Sequence, residues 1–117
     1  MAIFTKHPLS ASVNGMQIMV TAVTSASAVP IHTAVAGTSS IDEVWLYAYN
    51  DDTSNHSLSI LWGGTVEPNN VIRTTIPFKA GRILCVDGML LNNGLTVKAY
   101  ADVSGSVVID GFVNNIA

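Results

Sequence analysis

Apolar residues along this chain recur at every second position, and clusters of Gly, Asn, Asp and Ser interrupt them at intervals of about eight to twelve residues. A period of two belongs to strands with one face turned to a core, whereas a helix would repeat its apolar positions at three and four. The pattern predicts an all-β domain. Met16, Ile18, Val20 and Ala22 share one face of a first strand over about residues 14–23, ended by the small-residue run Thr24-Ser25-Ala26-Ser27. Beyond Pro30, which as a donorless residue belongs at a strand start or edge, Ile31, Thr33 and Val35 form a short second strand. Ile41 to Tyr49, rich in β-branched and aromatic residues, gives the clearest strand of all. Asn50-Asp51-Asp52-Thr53-Ser54-Asn55 then supplies turn chemistry, and the alternation of Leu58, Ile60 and Trp62 beyond it reads as the second arm of a hairpin.

Val71 to Phe78 resumes after the loop Pro68-Asn69-Asn70, and Pro77 marks its end or an edge. Arg82 to Val86 is followed by the turn signal Asp87-Gly88, and Met89-Leu90-Leu91 by Asn92-Asn93-Gly94. Asn-Gly favours the positive-φ geometry of tight hairpin turns, so Leu95 to Asp102 is expected to return antiparallel to what precedes it. Leu95, Val97, Ala99 and Ala101 there alternate with Thr96, Lys98, Tyr100 and Asp102. A last strand begins at Val107 and ends near Asn114-Asn115. The count is about eight strands in a single domain spanning residues 1–117, with residues 1–13 as an extended N-terminal arm. An antiparallel two-sheet β-sandwich fits best, with a jelly roll as one form it could take and a closed barrel as the alternative.

Composition sharpens this picture in one respect. Hydrophobic residues make up 49% of the chain and charged residues 11%, against about 25% charged in an average soluble domain. So little charge leaves a free surface poorly solvated and argues for burial against a partner or another copy. Five basic residues against eight acidic ones give a net charge of -3, without the basic footprint that nucleic-acid binding requires. The N-terminus lacks the apolar run of a signal peptide, and no segment approaches the ~18 apolar residues of a membrane span. Neither nucleic acid nor membrane is an expected partner, and synthesis in the cytoplasm is expected. Cys85, in the run Ile83-Leu84-Cys85-Val86, has no second cysteine to pair with and reads as a small buried hydrophobe.

Candidate chemistry is sparse. His7, His32 and His56 are far apart, and none has a second His or a Cys at zinc-site spacing. Asp51, Asp52 and Asn55 lack the alternating ligands and distal Glu of a calcium loop, and they read as turn formers. No serine sits in a G-x-S-x-G elbow, and Gly63-Gly64 precedes Thr65-Val66-Glu67 rather than the Lys of a phosphate loop. No catalytic residue, metal or cofactor is therefore assigned. The surface candidates are aromatic. Trp45, Tyr47 and Tyr49 fall on one face of their strand, with Val44, Leu46 and Ala48 on the other. Either set could face the core, and the opposite set would then meet a second molecule or lie beneath a loop. Trp62 carries the same ambiguity.

From about Ile41 to Ile116 the chain resembles small virion proteins of tailed bacteriophages, particularly capsid decoration (cement) proteins. The resemblance lies in Glu43-Val44-Trp45-Leu46-Tyr47-Ala48-Tyr49-Asn50, Leu58-Ser59-Ile60-Leu61-Trp62-Gly63-Gly64, Ile76-Pro77-Phe78-Lys79-Ala80-Gly81 and the stretch from Leu90 to Tyr100. It implies a β-sandwich, often trimeric, located in the virion, bound to the major capsid protein over subunit junctions and stabilising the shell. A neck, tail or fibre component and a small carbohydrate-binding sandwich, stacking a sugar on Trp45, Tyr47, Tyr49 or Trp62, are the alternatives.

Overall fold

The structure, a computed structural model, describes residues 3–117. Among these residues, nine strands form two antiparallel sheets: β1 (Phe4–Pro8), β2 (Ile18–Val20), β3 (Val29–Thr33), β4 (Ile41–Asn50), β5 (His56–Trp62), β6 (Val71–Ile76), β7 (Ile83–Leu91), β8 (Thr96–Ala101) and β9 (Val107–Ile116). The five-stranded sheet runs β1-β9-β4-β7, with β2 also on β9; the four-stranded sheet runs β3-β8-β5-β6. β1 pairs with residues 112–116 of β9 and β2 with residues 107–109, so the two lie end to end as one interrupted strand. The pairings are then nested, with β1 and β2 on β9, β3 on β8, β4 on β7 and β5 on β6. This is one long hairpin rolled up into a two-sheet jelly roll.

The core follows from alternation. Val44, Leu46 and Ala48 of β4 point between the sheets toward Leu58 and Ile60 of β5 and Val97 and Ala99 of β8, and none is more than 1% exposed. Each buried Val, Leu or Ile contributes about 1.5–3 kcal/mol through removal from water. At the centre of the five-stranded sheet β9 approaches β4 so closely that a Cβ on Gly111 (φ +154°) would lie 1.9 Å from the Trp45 carbonyl oxygen.

Two expected hairpins are not hairpins. β4 and β5 lie in different sheets, and so do β7 and β8. The local turn chemistry still forms. Asn50 donates from Nδ2 to the carbonyls of Ser54 and Ile76 and accepts the Asp52 N–H, while Asn93 (φ 60°) and Gly94 (φ 67°) make a tight turn closed by Leu95 N–H to Asn92 O. A paired return after that turn would set Leu91 beside Thr96 on one face. Crossing to the other sheet instead lets Leu91 and Val97 both face the core, at 7% and 0% exposed.

Other expectations shift locally. Asp87-Gly88 is no turn: β7 runs through it, and Gly88 (φ 80°) is the extra residue where the register slips between Val44–Met89 and Trp45–Asp87. The first strand shortens to Ile18–Val20 because Asn14 (φ 54°) and Gly15 turn the chain, with Met16 N–H bonded to Val13 O. The second strand moves to Val29–Thr33 and takes Pro30 into an edge position, and β6 stops before Pro77. Within the stretch read as an N-terminal arm, residues 1 and 2 lie outside the described residues, Phe4–Pro8 is the edge strand β1, and Leu9 enters the core.

Candidate functional site

The inward phase of β4 is Asp42, Val44, Leu46, Ala48 and Asn50, which turns Glu43, Trp45, Tyr47 and Tyr49 to the outer face of the five-stranded sheet. The aliphatic side chains thus belong to the core and the aromatic row to the exterior. Register extends that row across the sheet. Trp45 stands beside Phe112, which stands beside Pro8; Tyr49 stands beside Val108, which stands beside Met19; Leu84 and Leu90 flank Tyr47 and Glu43. Phe4, Met19, Leu84 and Leu90 are each about half exposed or more. Ten residues of β4 across four strands span roughly 33 by 19 Å, about 600 Å² of sheet face.

The rings are locked in place. Trp45 stacks on Phe112 at 6.0 Å between centroids and 13° between planes, and its other side fits against Gly88, where a Cβ would meet Trp45 Cζ2 at 2.9 Å. Lys6 Nζ lies 4.2 Å from the centre of the Phe112 ring, and the Arg82 guanidinium lies 4.0 Å from that of Tyr47. Arg82 is itself held by a forked pair of bonds to Asp110, 2.8 Å at the shortest, which raises its pKa further. Glu43 accepts from Trp45 Nε1 (2.8 Å) and Asn114 Nδ2 (3.1 Å), and these bonds hold its carboxyl below the ordinary range. Tyr49 donates to Asp51, which pushes the phenol up, and Lys79, which also binds Asp51, leads in lowering the carboxylate.

Trp62 does not join this face. It lies at the end of β5 in the other sheet, beside the inward Val97, and packs half-buried against the core. The outer face of that four-stranded sheet is polar, with Ser57, Arg73 and Thr75 exposed. Glu67, in the β5–β6 loop, accepts a short hydrogen bond from Tyr100 and pairs with Arg73 at 3.1 Å, over a row in which Ser59 is 4% exposed. The sheet edges are blunted as well. β1 carries Pro8, β3 carries Pro30 and a register shift, β6 is followed by Pro77, and β7 has two irregularities.

A second polar constellation was not foreseen from sequence. His32 and Asp42, 3% and 2% exposed, are joined by a 2.8 Å bond from Nε2 to Oδ2. His32 Nδ1 accepts the Ser10 N–H at 3.1 Å and has Ser10 Oγ at 3.0 Å, so the ring proton sits on Nε2 and is given to Asp42. Asp42 also accepts the Val35 N–H and Asn115 Nδ2. Ser, His and Asp in line suggest acyl transfer, but that chemistry needs a base whose lone pair is free for the nucleophile, and N–H donors aimed at an oxyanion. Here a backbone N–H already meets the lone pair. The N–H of Thr33 is bonded to Ser10 Oγ itself, and those of Ala11, Ser12, Ala34 and Val35 are taken elsewhere. The cluster is a clamp tying the segment after β1 to β3, β4 and β9. The signal for it lay in the alternation, since Asp42 and Asn50 occupy the apolar phase of β4 and a polar residue there must find partners.

His56 lies between two carboxylates, Nε2 2.6 Å from Asp52 and Nδ1 2.8 Å from Asp102, and its pKa is raised, chiefly by the Asp52 bond. Asp51, Asp52 and Asn55, weighed above for calcium, make turn and ion-pair contacts within the chain. Cys85 packs against the core, and burial pushes its thiol up to about 11. Among the described residues, no helix is long and apolar enough to cross a membrane. Compared with known proteins, the chain matches no protein-family model and no curated sequence.

Proposed function

We propose that this protein is a structural interaction domain that docks through the outer face of its five-stranded sheet. In line with its sequence resemblance, we take it to be a decoration protein bound to the major capsid protein of a tailed-phage shell. The observation that carries the reading is the Trp45, Tyr47, Tyr49 and Phe112 face. It is broad and aromatic, partly exposed and rimmed by the exposed Phe4, Met19, Leu84 and Leu90, on a domain whose other outer face carries the polar Ser57, Arg73 and Thr75 and whose edges resist strand pairing. Two of its charges are satisfied within the chain, Glu43 by hydrogen bonds from Trp45 and Asn114 and Arg82 by its ion pair with Asp110, while the exposed Lys6 over Phe112 leaves a cation for a partner to meet. About 600 Å² a side is at the lower limit of specific interfaces, which bury roughly 1,200–2,000 Å² in total. A sugar-binding platform would offer a free ring face. Here Trp45 is flanked on both sides and Tyr47 is covered by Arg82, which favours a protein partner.

Purified protein added to particles that lack it should co-sediment with the shells and raise the temperature at which they release DNA, because a ligand of the assembled state stabilises that state. Trp45→Ala, which removes an interface anchor of a type worth about 2 kcal/mol or more, should weaken binding by roughly thirtyfold. Unchanged binding by that variant would remove the face from the interface. Binding to tails and not to shells would move the protein to the neck or tail. The protein should also self-associate, as a trimer in line with the resemblance, and sedimentation velocity reads this directly.

A further inference from the structure

β1 is held differently from the other strands. Its main chain forms a full antiparallel ladder with β9, from Phe4–Ile116 to Pro8–Phe112, prolonged by mutual 2.9 Å bonds between Ile3 and Ala117. Yet it alone among the described strands buries no side chain: Phe4, Thr5, Lys6 and Pro8 are exposed and His7 is half-buried. Its inward residues Thr5 and His7 border an open pocket of about 410 Å³ that reaches His32, Asp42 and Asn115, and the nearest ring to His7 is that of His32, 6.4 Å away between centroids. Ladder hydrogen bonds, worth about 0.5–1.5 kcal/mol net apiece, are therefore most of what keeps β1 in position.

The chain immediately after it is firmly fixed. Leu9 is 1% exposed in the core, Ser10 is bonded to His32 and Thr33, and the Ala11 N–H is bonded to Ile31 O. A loosely held strand thus meets a rigid anchor at Pro8–Leu9. On the other side of β9, β4 pairs with it along its whole length, so the β9 edge stays formed when β1 leaves. That edge has a defined requirement. Because Ile3 and Ala117 exchange both bonds, Phe4, Lys6 and Pro8 occupy the alternate positions whose N–H groups point away from β9, where a proline costs no ladder bond. Lys6 then reaches the Phe112 ring.

We infer that the β9 edge accepts the Phe4–Pro8 strand of a second copy of this chain, so that copies are joined by exchange of β1. The identical strand brings the same register, proline position and cation over Phe112, and exchange needs no contact that the single chain lacks. Residues 3–8 reach about 20 Å when extended, which sets how near the neighbour's β9 must lie. Each copy gives one strand and receives one, an arrangement that closes a trimer as readily as a dimer. The inference rests on the self-association proposed above and supplies its contact.

The test uses the full chain with Cys85→Ala, so that only introduced thiols react. Lys6 and Asn114 stand opposite each other at a non-hydrogen-bonded pair, with Cβ atoms expected about 4.5–5.5 Å apart, near disulfide range. One population carries Lys6→Cys and another Asn114→Cys; the two are refolded together from denaturant and oxidised. Strand exchange predicts a mixed disulfide about tenfold or more above a control that pairs Lys6→Cys with Lys98→Cys on the opposite sheet, as high effective concentration demands. Removing residues 1–8 should convert the oligomer to monomer with its β-type circular dichroism retained, a second reading should a cysteine variant fail to fold. A mixture no better than the control, with the Lys6→Cys/Asn114→Cys double variant linked wholly within single chains, would overturn the exchange. If the wild-type protein then sediments as an oligomer, self-association stands without it; if it sediments as a monomer, both fall.

Discussion

Asp42→Ala tests whether the buried cluster is a clamp. The Asp42 carboxylate accepts three hydrogen bonds, from His32 Nε2 (2.8 Å), Asn115 Nδ2 (2.8 Å) and the Val35 N–H (3.0 Å). Truncation leaves all three donors without their acceptor, at about 1–3 kcal/mol for each buried group. The adjoining cavity lets water replace part of what is lost, which favours the lower figure, or about 3 kcal/mol in all. A chain of this length is expected to have roughly 6–18 kcal/mol of total stability, so the loss is large, equivalent to roughly 10–20 °C in Tm. Urea denaturation followed by the fluorescence of Trp45 and Trp62 would measure it as a lowered midpoint at constant slope. The pH dependence adds a second constraint. Burial pushes the Asp42 carboxyl up, but the bonds from Asn115, His32 and Val35 together outweigh it, and the net shift is downward. A depressed carboxylate contributes stability that is complete above the ordinary value of 3.8 and is lost as pH falls through its folded value. The gap between wild type and Asp42→Ala should therefore be constant near neutrality and shrink in acid. A loss below about 1 kcal/mol at neutral pH would show that water satisfies these groups as well as Asp42 does, and would refute the clamp.

Val97→Ala, at a fully buried position near the start of β8, should cost about 1–3 kcal/mol, and an unchanged denaturation midpoint would place that residue outside the core. Gly111→Ala must push β9 off β4 to clear the Trp45 carbonyl and should prevent folding or lower Tm sharply; wild-type thermal stability would refute that close approach. His56 has a folded pKa raised above 6.5, so its ion pairs contribute fully below that value and less as pH rises through the folded one. The Tm difference between wild type and His56→Gln should accordingly be widest in mild acid and narrow toward alkaline pH, and a difference independent of pH would exclude the titration.

Strand content was legible because alternation registers burial on one face, and β4, β8 and β9 lie close to where the pattern puts them. Strand pairing was less so. The turns after β4 and β7 have the residues of hairpins and the local hydrogen bonds of turns, but whether the next strand pairs or crosses the core depends on where its apolar side chains find partners. Asp87-Gly88 misled in the other direction, since a positive-φ glycine serves a bulge as well as a turn. For the aromatic row, alternation put Trp45, Tyr47 and Tyr49 on one face of β4 but could not say whether that face was inward, nor that Phe112 and Arg82, distant in the chain, would pack against it. Ser10, His32 and Asp42 are brought together only by the closure of β3 against the other sheet.

The last of the described strands is also an inner strand of its sheet: β9 pairs with β1, β2 and β4. Strands β1 and β2, made before the other described strands, have no hydrogen-bonding neighbour until residues 107–116 exist, and β4 has one flank open until then. Closing contacts so far apart in sequence is slow, because the loop entropy falls due before the contacts that offset it form. During synthesis the apolar faces of β4 and β7 must therefore wait, exposed, for the C-terminal segment to leave the ribosome, which makes this phase the chain's most aggregation-prone. Ending the chain before Val107 would remove the inner strand rather than trim an edge, and the product should be insoluble rather than merely less stable.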